Sequence, residues 1–203
     1  MKSPSFERKQ PSAEEETFNS YLYDLELKPE DFNKIILDVG AGEAQFAKYA
    51  KDNNIGSQIY SLEPFQEMLE KEKSLVGCAE EIPMPDESFD LIVSSGAIPN
   101  IYLGEKDVEE KVKKSFSEML RVLKEGGEIR LARVLMGNKY ENQKFLKNTI
   151  EEVLEKLKEN NVEIKKIRTP ENDSYEYDNH VKKDLLAESF LIILKKLPTS
   201  PTL

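Results

Sequence analysis

Apolar positions along this chain follow two spacings, and the alternation between them points to the fold. After a polar stretch over residues 1–11, Phe18, Tyr21, Leu22 and Leu25 recur at three- and four-residue intervals, as on one helix face. Ser12 followed by Glu15 reads as a capping box, so a helix is predicted from about Ser12 until Pro29 forbids it. Unbroken apolar runs then take over. "KIILDV" is a buried strand, residues 44–53 form a helix, "SQIYSLE" is a second strand, and a helix over 64–73 follows. "SLVGCA" makes a short third strand and "FDLIVSS" a fourth. Val108, Val112, Phe116, Met119 and Leu123 mark one face of a long helix, and "GGEIRLARVL" is the fifth strand. Leu146, Ile150, Val153, Leu154 and Leu157 stripe the next helix. "VEIKKI" and "ESFLIIL" close the pattern with no helix long enough to cross between them, and such neighbours pair most easily antiparallel.

Strand–helix alternation repeated five times, ending in a strand pair, implies an α/β fold. We expect a mostly parallel, seven-stranded sheet with helices on both faces and an antiparallel last strand. Residues 1–30 read as a tail and helical cap, 31–197 as the α/β domain, and 198–203 as a polar tail. No internal repeat interrupts this organisation.

Composition narrows the partners. The chain has 203 residues, 38% hydrophobic and 33% charged, with a formal net charge of −10. That charge disfavours nonspecific attraction to nucleic acid and anionic lipid. One cysteine, Cys78, and one histidine, His180, permit no internal disulfide and no zinc-finger spacing, so no metal is expected. The opening "MKSPSFERKQPS" lacks the apolar region of a signal peptide, and no run approaches the roughly 18 apolar residues of a membrane span. The expected location is cytoplasmic.

The candidate chemistry sits in "IILDVGAGEAQFAKYA", residues 35–50. Asp38 ends the first strand, and Gly40 and Gly42 form a turn where backbone amides and a helix N-terminus can approach a ligand. A tight turn without any ligand explains a bare G-x-G equally well. Spacing then selects among ligands. Gln45 stands where a dinucleotide fingerprint needs its third glycine, and no phosphate-binding P-loop is present. Glu63 closes the second strand 23 residues after Gly40, near the spacing at which a carboxylate meets ribose hydroxyls. The ligand implied is adenosine-like and lacks a pyrophosphate.

"ILDVGAGEAQFAKYA", "IYSLEP", "GCAEEIPMPDESFDLIVSS" and "MLRVLKEGGEIRLARV" together resemble the class I S-adenosylmethionine-dependent methyltransferases, in particular the type 11-like domain, over roughly 34–135. The resemblance implies a Rossmann-like methyltransferase fold and S-adenosyl-L-methionine as cofactor. By the same resemblance, Asp38 faces the methionine amino group, while Gly40, Ala41 and Gly42 line the methionine portion. Glu63 takes the ribose hydroxyls, Pro64 and Phe65 lie against the adenine, Ala79 and Glu80 edge its ring, and Ser94 flanks the sulfonium. A substituent at Gly40, such as Gly40→Val, is expected to meet the ligand while the fold survives. The chain departs from the family pattern at Ala44, where a third glycine is usual, at Cys78, where an aspartate usually bonds the adenine amine, and at "KEGG" over 124–127, which replaces a proline-bearing turn.

These motifs do not disclose the acceptor. Two readings of different class follow: an active methyltransferase with a small-molecule acceptor, or a methyltransferase-like protein that binds S-adenosylmethionine without turnover. An aminopropyl transferase would need an acidic motif after the fourth strand that is missing. Cys78 lacks a histidine nearby in sequence and reads as core or adenine-rim packing rather than a nucleophile. Asp86, Glu87 and Asp90 read as turn-forming carboxylates, and "GEKDVEEKVKK" as a solvated helix face. Ile98, Pro99, Ile101 and Tyr102 either wall an acceptor or pack the following helix. Finally, "TPENDSYEYDNH" is expected to place Tyr175, Tyr177 and His180 on the rim opposite Tyr21, with His180 a candidate base against a plain solvated loop.

Overall fold

The computed structural model describes residues 10–56, 58–65, 67, 73–169 and 187–198. Helix α1 (Ala13–Asp24) begins where Ser12 accepts the Glu15 amide at 3.2 Å, satisfying one orphan donor of the first turn. It stops before the proline limit: Glu26 takes a left-handed φ of 51°, and a 3-10 turn over Pro29–Asn33 follows. Then come β1 (Ile36–Val39), α2 (Gln45–Asp52), β2 (Ile59–Glu63), β3 (Ser74–Val76) and β4 (Phe89–Ser95). The chain continues through α3 (Val108–Val122), β5 (Leu123–Gly137), α4 (Glu141–Glu159), β6 (Val162–Arg168) and β7 (Ala187–Lys196).

The seven strands form one sheet in the order β3-β2-β1-β4-β5-β7-β6. β3, β2, β1, β4 and β5 pair in parallel, whereas β7 runs antiparallel to both β5 and β6. One expectation is corrected. Residues 77–88, between β3 and β4, fold as turns with a Cys78–Glu81 bridge, so no helix completes a repeat there. The helix expected over 64–73 falls largely outside the described residues.

Alternation along the strands divides the core between the two sheet faces. Ile36, Ile59, Leu91, Val93 and Leu191 pack under Phe18, Leu25, Phe46 and Ala50 of α1 and α2. Leu37, Ile92, Ile129 and Leu131 pack against Val112, Phe116, Met119, Ile150 and Val153 of α3 and α4. β1 lies where the strand order reverses, with β2 on one side and β4 on the other, which is where open α/β sheets hold ligands.

The N-terminal cap is tied to the sheet by a buried cation. Arg130 on β5 donates to the carbonyls of Leu25 and Glu26 at 3.3 and 3.0 Å and to Asp31 Oδ2 at 3.0 Å. Burial pushes the Asp31 carboxyl up, but hydrogen bonds from Lys34 and the Lys28 amide, with the Arg130 charge, outweigh it and hold it below its ordinary value. Farther along β5, the pairing with β7 slips between Leu131 and Val134, and Arg133 turns left-handed at a φ of 57°. There Arg133 reaches Asp24 and Ser20 of α1 at 2.5 Å each, while Asn100 Nδ2 donates to the Arg133 carbonyl at 2.8 Å and Asn100 Oδ1 accepts the Leu135 amide at 3.0 Å. These contacts tie α1 and the turn at Asn100 to the bulged part of β5.

Candidate functional site

The site is built around the end of β1. Asp38 pairs in register with Ser61 of β2 and Val93 of β4, and its side chain is fully buried on the α1/α2 face. Oδ1 accepts the Tyr21 hydroxyl at 3.2 Å, and Oδ2 is buried with no hydrogen-bond partner among the described residues. A carboxylate oxygen left bare inside a protein calls for a donor, preferably a cationic one. Burial pushes this carboxyl up to about 7; the Tyr21 hydrogen bond opposes that rise and the Glu63 charge adds to it.

The turn that follows is set by two glycines with different neighbours. Gly40 has a φ of 75° and donates its amide to the Leu62 carbonyl at 2.9 Å. A Cβ there would lie 2.4 Å from Cβ of Ala97, on the loop after β4. This corrects the expectation for Gly40→Val: the added side chain meets the protein itself. Gly42, at φ 55°, has nothing within 4 Å of an added Cβ and therefore borders open space. Its amide donates to Glu63 Oε2 at 3.1 Å, and the Ala41 amide reaches the Leu62 carbonyl at 3.2 Å, which links the turn to the end of β2. Ala44 adopts a left-handed φ of 54° at the N-cap of α2, a conformation glycine enters more cheaply.

The other expected site residues lie at or beyond the carboxyl ends of β2, β3 and β4. Glu63 is buried, Pro64 and Phe65 beyond it are exposed, and Ala79 is buried beside a half-buried Glu80. Cys78 is exposed, which rules out core packing and leaves the adenine rim of the two readings given for it. Ser94 is buried at the end of β4, and its hydroxyl accepts the Ile98 amide at 3.1 Å, holding the turn that carries Ala97. Of the proposed acceptor wall, Ile98, Pro99 and Tyr102 are buried, whereas Ile101 is 56% exposed. Asp86 and Asp90 have structural partners: Arg121 at 2.7 Å for the first, Lys124 and the Ile35 amide for the second. Tyr175, Tyr177 and His180 lie outside the described residues, although β6, parallel to β5, ends at Arg168 on the edge where β1 and β4 end.

Sequence reasoning missed the partner of Asp38. Tyr21 lay on the apolar stripe of α1, and nothing local distinguishes a stripe tyrosine used for packing from one that also donates its hydroxyl. Its ring stacks on Phe46 at 4.5 Å, which aims the hydroxyl across the helix pair at Asp38. Tyr102 was likewise read only for its ring; its hydroxyl is buried without a partner, and burial together with the Glu80 charge pushes the phenol up.

The arrangement fits S-adenosylmethionine. A bare buried carboxylate oxygen suits an ammonium, an open glycine suits close approach of a ligand chain, and a buried glutamate held by a backbone amide can accept from hydroxyls. Among the described residues no group of three or more His, Cys, Asp and Glu side chains could hold a metal ion, and no helix is long and apolar enough to cross a membrane.

Comparison with known proteins bears on the fold and the domain type. Residues 37–131 match the family model described as "Methyltransferase domain". None of the curated proteins matches the chain. Among solved structures, a S-adenosylmethionine-dependent methyltransferase from Clostridium acetobutylicum is similar with a TM-score of 0.59 at 14% identity, covering 89% of this chain and 92% of its own. The YcgJ protein from Bacillus subtilis gives 0.54 at 17% identity, covering 81% and 92%. The 1,6-didemethyltoxoflavin-N1-methyltransferase of Burkholderia thailandensis, solved with 1,6-didemethyltoxoflavin and S-adenosylhomocysteine, gives 0.51 at 12% identity, covering 81% and 72%.

Proposed function

From the premise that this chain carries a class I S-adenosylmethionine-dependent methyltransferase domain, we propose that it binds S-adenosylmethionine at the turn after β1 and transfers the methyl group to a small-molecule acceptor. The observation that carries this reading is the fully buried Asp38, whose Oδ2 lacks a partner beside a glycine turn tied to Glu63. A neighbour of the same fold solved with S-adenosylhomocysteine supports the choice of cofactor.

When bound, the cofactor supplies a methyl carbon already activated by a positively charged sulfur. The protein's contribution is then binding, alignment and exclusion of water. Asp38 Oδ2 accepts from the methionine ammonium, and the backbone of Gly40, Ala41 and Gly42 lines the methionine portion. Glu63, one oxygen already engaged by the Gly42 amide, accepts from the ribose hydroxyls with the other. Pro64 and Phe65 offer apolar surface to one side of the adenine, and Cys78, Ala79 and Glu80 edge it. Ser94 shapes the 95–101 turn by holding the Ile98 amide and thereby places the backbone that flanks the sulfur. A charge of −10 and exposed Ile101 at this sheet edge favour a small, partly apolar acceptor over nucleic acid.

The test is titration calorimetry with S-adenosylmethionine and S-adenosylhomocysteine, followed by incubation with methyl-labelled donor and a small-molecule metabolite extract. Binding of both ligands and label in a low-mass product are expected. Absence of binding would overturn the reading, and binding without transfer would leave only a donor-binding role.

A further inference from the structure

The contact between Tyr21 and Asp38 joins the N-terminal cap to the glycine turn. Tyr21 is 8% exposed and Asp38 fully buried, so their hydrogen bond forms away from solvent. Burial, and next the Asp38 charge, push the Tyr21 phenol well above its ordinary value. Tyr21 therefore stays protonated, and its hydroxyl donates to Asp38 Oδ1. With Oδ1 engaged, Oδ2 is the oxygen left for a ligand.

We infer that Tyr21 is a positioning residue for the cofactor: its hydroxyl occupies Oδ1 of Asp38 and leaves Oδ2 to the ligand's ammonium, so that binding of ammonium-bearing ligands draws Asp38 into its carboxylate form and releases a proton. The inference rests on the donor-binding role proposed above.

The surrounding charges are few. From α1, Tyr21 faces Asp38 and Asp24 stands one turn beyond; from β2, Glu63 adds repulsion; from β5, Arg133 adds a positive charge felt at Tyr21. The neighbour from α2 is Phe46, stacked on the Tyr21 ring, and that from β4 is Val93, paired in register. Burial and Glu63 thus oppose ionisation of Asp38, the Tyr21 hydroxyl favours it, and the group sits near the middle of its titration at neutral pH, at about 7. An ammonium delivered to Oδ2 tips the balance towards the carboxylate. Below pH 7, binding must then expel a proton, and affinity should rise by up to about tenfold per pH unit before levelling off.

Tyr21→Phe keeps the ring on Phe46 and removes only the donor. Asp38 becomes harder to ionise, and the inflection in affinity should move up by about one pH unit. The same bond persists in the ligand-bound, ionised state, so its loss affects the proton equilibrium rather than the ammonium contact. The variant is expected to bind about tenfold more weakly at pH 6 and almost like the parent at pH 8.5. A loosened cap would weaken binding at every pH alike.

The experiment is calorimetry on the full chain and on Tyr21→Phe between pH 6.0 and 8.5, in two buffers of different ionisation enthalpy so that released protons are counted. S-adenosylhomocysteine carries the ammonium; 5′-methylthioadenosine shares the adenosine thioether but lacks the amino acid. The second ligand removes any contribution from Glu63, which both would engage. Proton release by the parent with S-adenosylhomocysteine only, and a loss in Tyr21→Phe that fades at high pH, are expected. Equal affinities across pH, or equal proton release with both ligands, overturn the inference even where binding is tight. Should neither ligand bind the parent, the donor-binding role itself fails. If Tyr21→Phe does not fold, absence of proton release by the parent with S-adenosylhomocysteine still overturns the inference.

Discussion

The Gly42 amide donates to Glu63 Oε2 at 3.1 Å, so the turn after β1 and the end of β2 hold one another in place. Glu63→Ala removes both this brace and the acceptor proposed for the ribose hydroxyls. Binding of S-adenosylhomocysteine should weaken by about 1–3 kcal/mol. The ratio of its affinity to that of S-adenosylmethionine should stay as in the parent, because the two share the ribose. An unchanged dissociation constant in calorimetry would remove Glu63 from the site.

The two turn glycines should fail in different ways. Gly40→Ala sets a Cβ 2.4 Å from Ala97 Cβ at a φ of 75° and is expected to destabilise the fold by about 2–4 kcal/mol. Gly42→Ala meets no atom within 4 Å and should cost only the backbone strain, about 1–2 kcal/mol, while blocking the ligand. Thermal unfolding and calorimetry together separate the two. Equal destabilisation, or intact binding in Gly42→Ala, would contradict this assignment.

Asp38 should make the ligand-free protein less stable as pH rises. A carboxyl raised to about 7 in the folded state holds its proton more tightly than the unfolded chain does, with its ordinary value near about 3.9. Stability therefore declines between those two values and is level above them. Asp38→Asn removes the titrating group: its melting temperature should exceed the parent's at pH 8 by several degrees, with the gap closing towards pH 5, while ligand binding is lost. A gap independent of pH would show that Asp38 is not buried in this state.

Cys78 is exposed at the edge where the adenine is proposed to lie. In the native protein it should react readily with iodoacetamide, measured by mass spectrometry, and saturating S-adenosylhomocysteine should slow the reaction. Cys78→Asp should tighten adenosine ligands more than their inosine analogues, since it adds an acceptor for the exocyclic amine. Undiminished labelling under saturation would place the adenine elsewhere.

Much of the sheet was legible because its strands are continuous apolar runs. "FDLIVSS" bounds β4 as observed, and Ile36–Val39 falls within "KIILDV". Glycine spacing and the acid at position 63 were local signals, so the turn could be read without a structure. What escaped was non-local. Arg130 stands in a strand as an ordinary charged residue, yet it is buried against Asp31, 99 residues earlier. Ala97 decides what fits at Gly40, and Tyr21 donates its hydroxyl to Asp38; neither relation has a sequence period. The apolar run "SLVGCA" suggests a strand through Cys78, whereas β3 ends at Val76 and leaves Cys78 exposed, which excludes the core but not the adenine rim.

The cap also has a place in the order of synthesis. Its anchors are made late: Arg130 lies 105 residues after Leu25, and Arg133 lies 113 after Ser20. At ordinary translation rates the first helix therefore waits roughly 5–20 s for the side chains that hold it. Twelve residues are too few for a helix to persist unaided in water. Through that interval Phe18 and Tyr21 have Phe46 and Tyr49 of α2 to pack against, while the two arginines that tie the cap to β5 are still to be made. The cap thus gains its arginine ties to the sheet only after β5 has been made, later than the Tyr21–Asp38 pair that it carries over the turn.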